Sequence, residues 1–475
     1  MRDLFVSGLI VGCLPTCFRR PFIGLLLFSL LAYMRIQDLT WGFARFQRWS
    51  FYVAIITLAG YVLQGSTRRN MLPDVRNWIM LGLMLFVGLS LVMNGPFDAR
   101  GDTARYVEYL KIVGVAIFTT AVVKDRHYLR VLVWIIALSF GFFGIKDGIS
   151  MIFSGGSLKI IQGPGGMLAD NNDFALALCM GIPLLFHLGW AERRKLMRRT
   201  MLAMVPLTML TVMATHSRGA FLAMSCAVFV LVWRSKNRVA GFATMILVAI
   251  AAVIAAPASY KERIATIGSY EEDQSARGRL DAWRVAGHMI AANPVFGVGF
   301  DKFTRNYRAY DTKTGPAAGV PDTGIHVAHN SYLQIWAECG TPAMILYLLL
   351  IGLSYIDLWR VRKMARQRYH TSWILYYATM FEASLTAFVV GSFFLNRAQF
   401  DLFYHFVAVI MVFGYFARLE MKKLEGEAEP APRSGGRGRL QLARERGLAR
   451  EPALGGFGRT EPNGGFGRGP AFGRA

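Results

Sequence analysis

The chain is short of charge. Charged residues make up 17% of its 475 residues and hydrophobic residues 54%, and the mean hydropathy is +0.36. A soluble domain carries about 25% charge. A cytosolic enzyme or a secreted domain is therefore excluded in favour of a polytopic membrane protein. Negative charge is the scarcer sign, with 30 acidic residues against 53 basic ones and a formal net charge of +23. In a soluble protein that balance suggests nucleic acid. Between long apolar stretches it points instead to basic inner loops beside anionic lipid. Cysteine is sparse too. Cys13, Cys17, Cys179, Cys226 and Cys339 lie in or beside apolar segments without a CxxC pair, which leaves no case for a disulfide framework or a zinc site. There is no Walker loop, no HExxH, no Asp-x-Asp pair in an outer loop and no run of carboxylates inside a span. Gly297-Val298-Gly299 lacks the rest of a dinucleotide fingerprint. An ATPase, a zinc protease, a carboxylate-driven pump and a metal-dependent glycosyltransferase all lose support, the last because hard cations need clustered oxygen ligands.

What the chain has in quantity is apolar runs near spanning length, about 17–25 residues each. Spans are expected near 4–18, 22–34, 49–65, 78–94, 108–123, 130–153, 173–191, 200–215, 219–233, 239–257, 339–358, 372–394 and 401–417. The first two are short, so twelve or thirteen helices are expected. Arg19-Arg20-Pro21 between them argues for two retained segments and against a cleaved signal. The short loops 192–199, 234–238 and 360–368 are rich in Arg and Lys. The alternating loops 154–172, 215–219 and 395–400 hold one basic residue each, Lys159, Arg218 and Arg397. The positive-inside rule then places the basic loops and the C-terminus in the cytoplasm and the long connection 258–338 outside. The expected fold is an all-α polytopic membrane domain over 1–423. A tail, 424–475, repeats Gly-Gly-Phe-Gly-Arg at 455–459 and 464–468 and reads as a disordered, basic, cytoplasmic segment near anionic lipid, not an RNA-binding one.

The outer face holds the candidate chemistry. The loop 258–338 carries nine basic and nine acidic residues, and a loop of that length in a compact protein is usually functional. Residues 276–292 read as an amphipathic helix at the outer interface, with Leu280, Trp283, Gly287 and Ile290 on one face and Asn293-Pro294 ending it. Arg218, in the tight turn Thr215-His216-Ser217-Arg218-Gly219-Ala220, either snorkels to phosphate headgroups or holds a pyrophosphate with its planar fork. His329 sits where the loop re-enters a helix, with Asn330 or Ser331 as N-cap. A helix N-terminus disfavours imidazolium and keeps the ring available as a base. The bland alternative is a surface histidine, and His326 competes with it. Gly163 to Ala175 reads as a flexible loop running into a span, where Asp170 or Asn171 caps the helix or amides bind sugar hydroxyls. Asn172, Arg284, Asn330 and Tyr332 are further candidates for substrate contact. Asp147, Lys146 and Glu382 lie within spans with no role readable from sequence.

At these residues the chain resembles the O-antigen ligases and O-antigen polymerases. Ser217-Arg218-Gly219-Ala220 looks like that superfamily's Ser-Arg-small turn. Arg279-Leu280-Asp281-Ala282-Trp283 with Asn293-Pro294-Val295-Phe296-Gly297-Val298-Gly299 looks like the start of its outer loop, and His329-Asn330 with Glu338-Cys339-Gly340 like the loop's end. Tyr33-Met34, Leu39-Thr40-Trp41-Gly42-Phe43-Ala44 and Asp170-Asn171-Asn172-Asp173 narrow the likeness to the O-glycosylation ligases associated with the exosortase A system. Arg35-Ile36-Gln37-Asp38 departs from the Asn-Pro-His-like stretch of that subgroup. The resemblance spans about 1–420. It implies a GT-C-like multi-pass protein of the bacterial inner membrane with its site on the periplasmic side. It further implies inverting, metal-independent and cofactor-free glycan transfer from undecaprenyl pyrophosphate to lipid A-core, a protein or another glycan. Carried over, Arg218 and Arg279 bind the pyrophosphate and His329 is catalytic. A polymerase with the same site, or a non-catalytic polysaccharide transporter, are the competing readings.

Overall fold

The computed structural model describes residues 1–64, 71–96, 98, 101–243, 245–246, 274–312, 324–368 and 372–428. The chain is helical almost throughout. In order run α1 (Arg2–Arg19), α2 (Pro21–Tyr33), α3 (Phe43–Phe46), α4 (Trp49–Leu63), α5 (Val75–Met93), α6 (Asp102–Val122) and α7 (Arg126–Phe153). A hairpin of β1 (Gln162–Gly165) and β2 (Leu168–Asp170) follows, then α8 (Asn171–Ala191), α9 (Lys195–Ala214) and α10 (Arg218–Arg234). After the break come α11 (Gln274–Ala292), α12 (Phe303–Tyr310), α13 (Ser331–Arg368), α14 (Ser372–Gly391) and α15 (Asp401–Ala428). Seven of the described helices, α5, α7, α8, α9, α13, α14 and α15, are long and apolar enough to cross a membrane, and α2 and α4 are shorter apolar helices. The fold is that of an all-α polytopic membrane protein. Most of the span expected near 239–257, the parts 258–273 and 313–323 of the long loop, and the tail from 429 lie outside the described residues.

Apolar composition decides which helices are central. A helix that is hydrophobic on all sides is buried on all sides. Helix α8 is buried without interruption from Asp173 to Leu185, and α15 likewise from Leu402 to Gly414. The surrounding helices approach through small residues, as membrane helices do. On α7, a side chain at Gly144 would meet Thr208 Oγ1 at 2.0 Å and one at Gly148 the Leu207 carbonyl oxygen at 2.5 Å, so α9 lies directly on that stripe. Gly24 of α2 meets Thr57 of α4 in the same way.

Ion pairs also tie the helices together at the end of the bundle that carries the basic loops. Arg76 bridges Asp74 at 2.7 Å and Asp357 at 2.6 Å, Arg418 also pairs with Asp357, and Arg130 reaches Glu192 at 3.5 Å. Glu382 gains a structural role here, because it pairs with both Arg234 and Arg362 at 2.5 Å and ties α10, α13 and α14 together. Buried arginines need such partners.

One local expectation is corrected. The stretch from Gly163 is a short antiparallel hairpin and not a flexible loop: Gly165 and Gly166 turn it with φ of +121° and +54°, conformations that glycine supplies without steric cost. The helix at 274–292 packs on the protein through Ala282, Val285, Ala286 and Met289, while Leu280 is 53% exposed and Gly287 is exposed. Alanines let α11 sit close to Val298, Phe303, Tyr307, Ala328 and Ala337, so close packing, not side-chain size, sets the face.

Candidate functional site

The segments that the loop-charge pattern assigns to the outer side converge at one end of the bundle. Two of them are locked together by glycine. The loop 293–299 lies along the first part of α13, with Val298 N–H donating to the Ala337 carbonyl at 2.9 Å, Gly299 N–H to Glu338 at 3.0 Å and Thr341 N–H to Pro294 at 2.8 Å. Helix α13 breaks at Gly340, whose φ is +82° and ψ is 178°. A side chain at Gly340 would fall 2.0 Å from the Val295 carbonyl oxygen, and one at Gly297 would fall 2.4 Å from the Glu338 backbone. The Asn293-Pro294 and Glu338-Cys339-Gly340 motifs are thus two halves of one contact.

That contact fixes the start of α13. Asn330 caps it, its Oδ1 accepting from the N–H of Tyr332 at 3.0 Å and of Leu333 at 3.1 Å. The Ser331 hydroxyl donates to the Leu395 carbonyl at 2.9 Å and accepts from Arg397 N–H at 3.0 Å. The Tyr332 hydroxyl donates to the Val389 carbonyl at 2.9 Å. Asn330 and Tyr332, both buried, are engaged in holding the element. Arg284 is engaged as well, in ion pairs with Asp281 at 2.7 Å and Asp311 at 3.1 Å.

His329 precedes this cap and stands in a left-handed conformation, φ +44°. It is half-buried and lines a cavity of about 1370 Å³. Its pKa is pushed below the ordinary histidine value, first by burial, then by the positive charge of Arg279, with Asp170 opposing and His326 adding to the shift. Burial and Arg279 both favour the neutral ring. Arg279 reaches this neighbourhood from α11, one turn before Trp283, whose indole N–H donates to the Ala328 carbonyl at 2.8 Å. His326 is placed differently. Its ring lies edge-on to Tyr307 and against Gly278, where a side chain would meet the ring at 3.0 Å. It packs between α11 and α12 and is absent from the cavity lining.

The opposite wall is the start of α8. Asp170 caps this helix, accepting from Asn172 N–H at 2.8 Å and Asp173 N–H at 3.4 Å. Asn172 lines the cavity, and its amide donates to Asp170 and Asn171 at 3.1 Å. Asn171 donates to the Thr215 carbonyl at 3.0 Å, which tethers the turn carrying Arg218 to the same end. Arg218 opens α10 behind the Ser217 cap and is exposed; Gly219 beside it packs on Phe394. Arg218 and Arg279 are not among the residues that line the cavity, whereas His329 and Asn172 are.

Sequence reasoning missed part of the wall. Arg397 lines the cavity and pairs with Asp173 at 2.6 Å. Arg35 pairs with Asp38 at 2.5 Å and lies against the Gly166 turn. Tyr33, Arg48, Arg105, Glu108, Lys111, Asp401 and His405 are among the further polar groups of the lining, while α2, α4 and α6 supply its apolar flank. These groups come from segments hundreds of residues apart. The one signal in the sequence was the lone arginine in the otherwise uncharged loop 395–400. Among the described residues no three His, Cys, Asp or Glu side chains group as a metal site would require.

Comparison with known proteins agrees with this geometry at the level of the family. Residues 202–348 match the family model described as O-antigen ligase, and residues 1–195 match a family of unknown function, DUF5935. No curated protein matches the chain. The matched ligase region holds Arg218, Arg279, both halves of the glycine-locked contact and His329, and it supports the O-antigen ligase superfamily, a ligase-type glycosyltransferase family, for this multi-pass membrane protein.

Proposed function

We propose that the protein transfers a glycan from undecaprenyl pyrophosphate to an acceptor hydroxyl at the periplasmic face of the bacterial inner membrane, by direct inverting displacement without a metal. The observation that carries this reading is His329: a half-buried histidine, kept neutral by burial and Arg279, on the wall of a large cavity at the outward end of the bundle. A neutral histidine suits removal of a hydroxyl proton near pH 7. The acceptor oxygen bonds to the anomeric carbon as the bond from that carbon to the pyrophosphate oxygen breaks. The electron pair leaves with undecaprenyl pyrophosphate, and the hydroxyl proton passes to His329. The leaving group needs charge neutralisation more than protonation, which Arg218 and Arg279 supply as fixed cations. Asn172, in the cavity wall, contacts the sugar, while Arg284, Asn330 and Tyr332 hold α11 and α13 in place around it.

The acceptor, whether lipid A-core, protein or a second lipid-linked glycan, depends on the shape of the outer loop. Tyr33-Met34 and the Asp170-Asn171-Asn172-Asp173 segment favour the exosortase A-associated subgroup of O-glycosylation ligases. Turnover of a purified lipid-linked glycan tests the reading. Arg218→Lys and Arg279→Lys lose nearly as much activity as the alanine variants, because lysine cannot form the bidentate contact, and the wild type keeps full activity with chelator. Full activity of Arg279→Ala, or a strict requirement for a divalent ion, contradicts the mechanism.

A further inference from the structure

A second histidine lines the same cavity, far in sequence from the ligase motifs. His405 lies on the first turns of α15, is 2% exposed, and has its Nδ1 2.7 Å from the hydroxyl of Tyr33 at the end of α2, also 2% exposed. The rings stack at 5.9 Å between centroids. The other ring nitrogen, Nε2, is buried and finds no hydrogen-bond partner among the described residues. A buried polar atom without a protein partner calls for a water, an ion or a ligand atom, and His405 stands where the cavity can bring one.

The pairing with Tyr33 fixes what that nitrogen offers. If Nδ1 carried the proton and donated to Tyr33, the phenolic proton would need a second acceptor, and none is recorded among the described residues. Tyr33 therefore donates to Nδ1, and Nε2 carries the ring proton as a donor. Its surroundings select the acceptor. Asp401 lies one turn earlier on the same helix face, and Asp173 lines the cavity as well. The arginines nearby are already matched, Arg35 to Asp38 and Arg397 to Asp173. Carboxylates repel phosphate but accept hydroxyl protons. This corner of the cavity suits a neutral, hydroxyl-bearing ring, not an anion.

We infer that His405, oriented by Tyr33, is a saccharide-binding group that donates from Nε2 to an oxygen of the lipid-linked glycan, with Asp401 beside it to accept a sugar hydroxyl. The inference rests on the glycan-transfer reading, and it assigns His405 to sugar recognition, with no part in the chemical step.

The test is binding of two probes to the purified full chain: the lipid-linked glycan extracted from the producing cell's membranes, and bare undecaprenyl pyrophosphate. The wild type binds the glycan-bearing probe more tightly. His405→Phe keeps the ring volume and the stack on Tyr33 but loses that preference by about five- to tenfold, the range of one neutral hydrogen bond, with binding of the bare lipid unchanged. His405→Gln, which returns an N–H donor at similar reach, recovers much of the preference. Tyr33→Phe frees the tautomer and lowers it. An unchanged preference in His405→Phe overturns the assignment. So does a wild type without preference, or an equal loss for both probes, which would make His405 a phosphate or packing residue. A wild type that binds neither probe instead removes the glycan-transfer reading itself.

Discussion

At the scale of single residues, the candidate base was visible in the sequence and its setting was not. His329 stood out because it precedes a helix in an outward loop, but the same description fits His326 three residues earlier. The two part only in three dimensions, where His326 fills the space between α11 and α12 and His329 lines the cavity. The charges that tune His329 come from Arg279 on α11 and Asp170 at the start of α8, segments whose approach no local pattern foretells. They act with opposite sign. Arg279 and burial lower the histidine pKa, so the acid limb of the pH dependence of kcat/KM lies below the ordinary histidine range. Asp170 raises it, so Asp170→Asn moves that limb to still lower pH, while asparagine keeps the helix cap. A pH profile of glycan transfer for wild type and variant checks this. A limb that moves to higher pH, or not at all, shows that Asp170 does not act on the base.

At the scale of elements, helix positions follow from apolar runs, and errors arise where packing overrides composition. The protein-facing side of α11 is set by the small residues Ala282 and Ala286, which permit a close approach to α12 and α13, while the larger Leu280 stays exposed. Periodicity reports hydrophobic area and is blind to that gain. The hairpin at 162–170 is too short to show a strand pattern, and two glycines at positive φ are what make it. Glu382, unexplained in the sequence, is a shared partner for two arginines on different helices. The two loop motifs at 293–299 and 338–340 are intelligible only as one interlocked contact. Gly340→Ala must relieve both a positive φ and a 2.0 Å approach to the Val295 carbonyl, which costs at least about 2 kcal/mol. In a thermal melt of detergent-purified protein the variant therefore unfolds at a clearly lower temperature. An unchanged melt would mean that the two motifs are not held together through this glycine.

At the scale of the whole molecule, the alternation of basic and charge-poor loops predicts an orientation, and the cavity gathers segments that this pattern assigns to one side. Segments near residues 35–48, 103–111, 166–173, 327–329 and 395–405 meet around it, and the pattern places the loops among them on the same side of the membrane. An engineered thiol at Thr312 in intact cells is labelled by an impermeant reagent, while one at Arg450 in the tail is protected; the reverse pattern inverts the topology. The central claim, that His329 is the base for glycan transfer, is tested most directly by turnover of lipid-linked glycan in two matched variants. His329→Ala loses about 10²–10⁴-fold in rate, the usual contribution of a general base, yet still binds donor. His326→Ala, which disturbs the same segment, loses far less. Normal turnover by His329→Ala, whatever His326→Ala does, would contradict the account and leave the reaction to positioning and arginine charge alone.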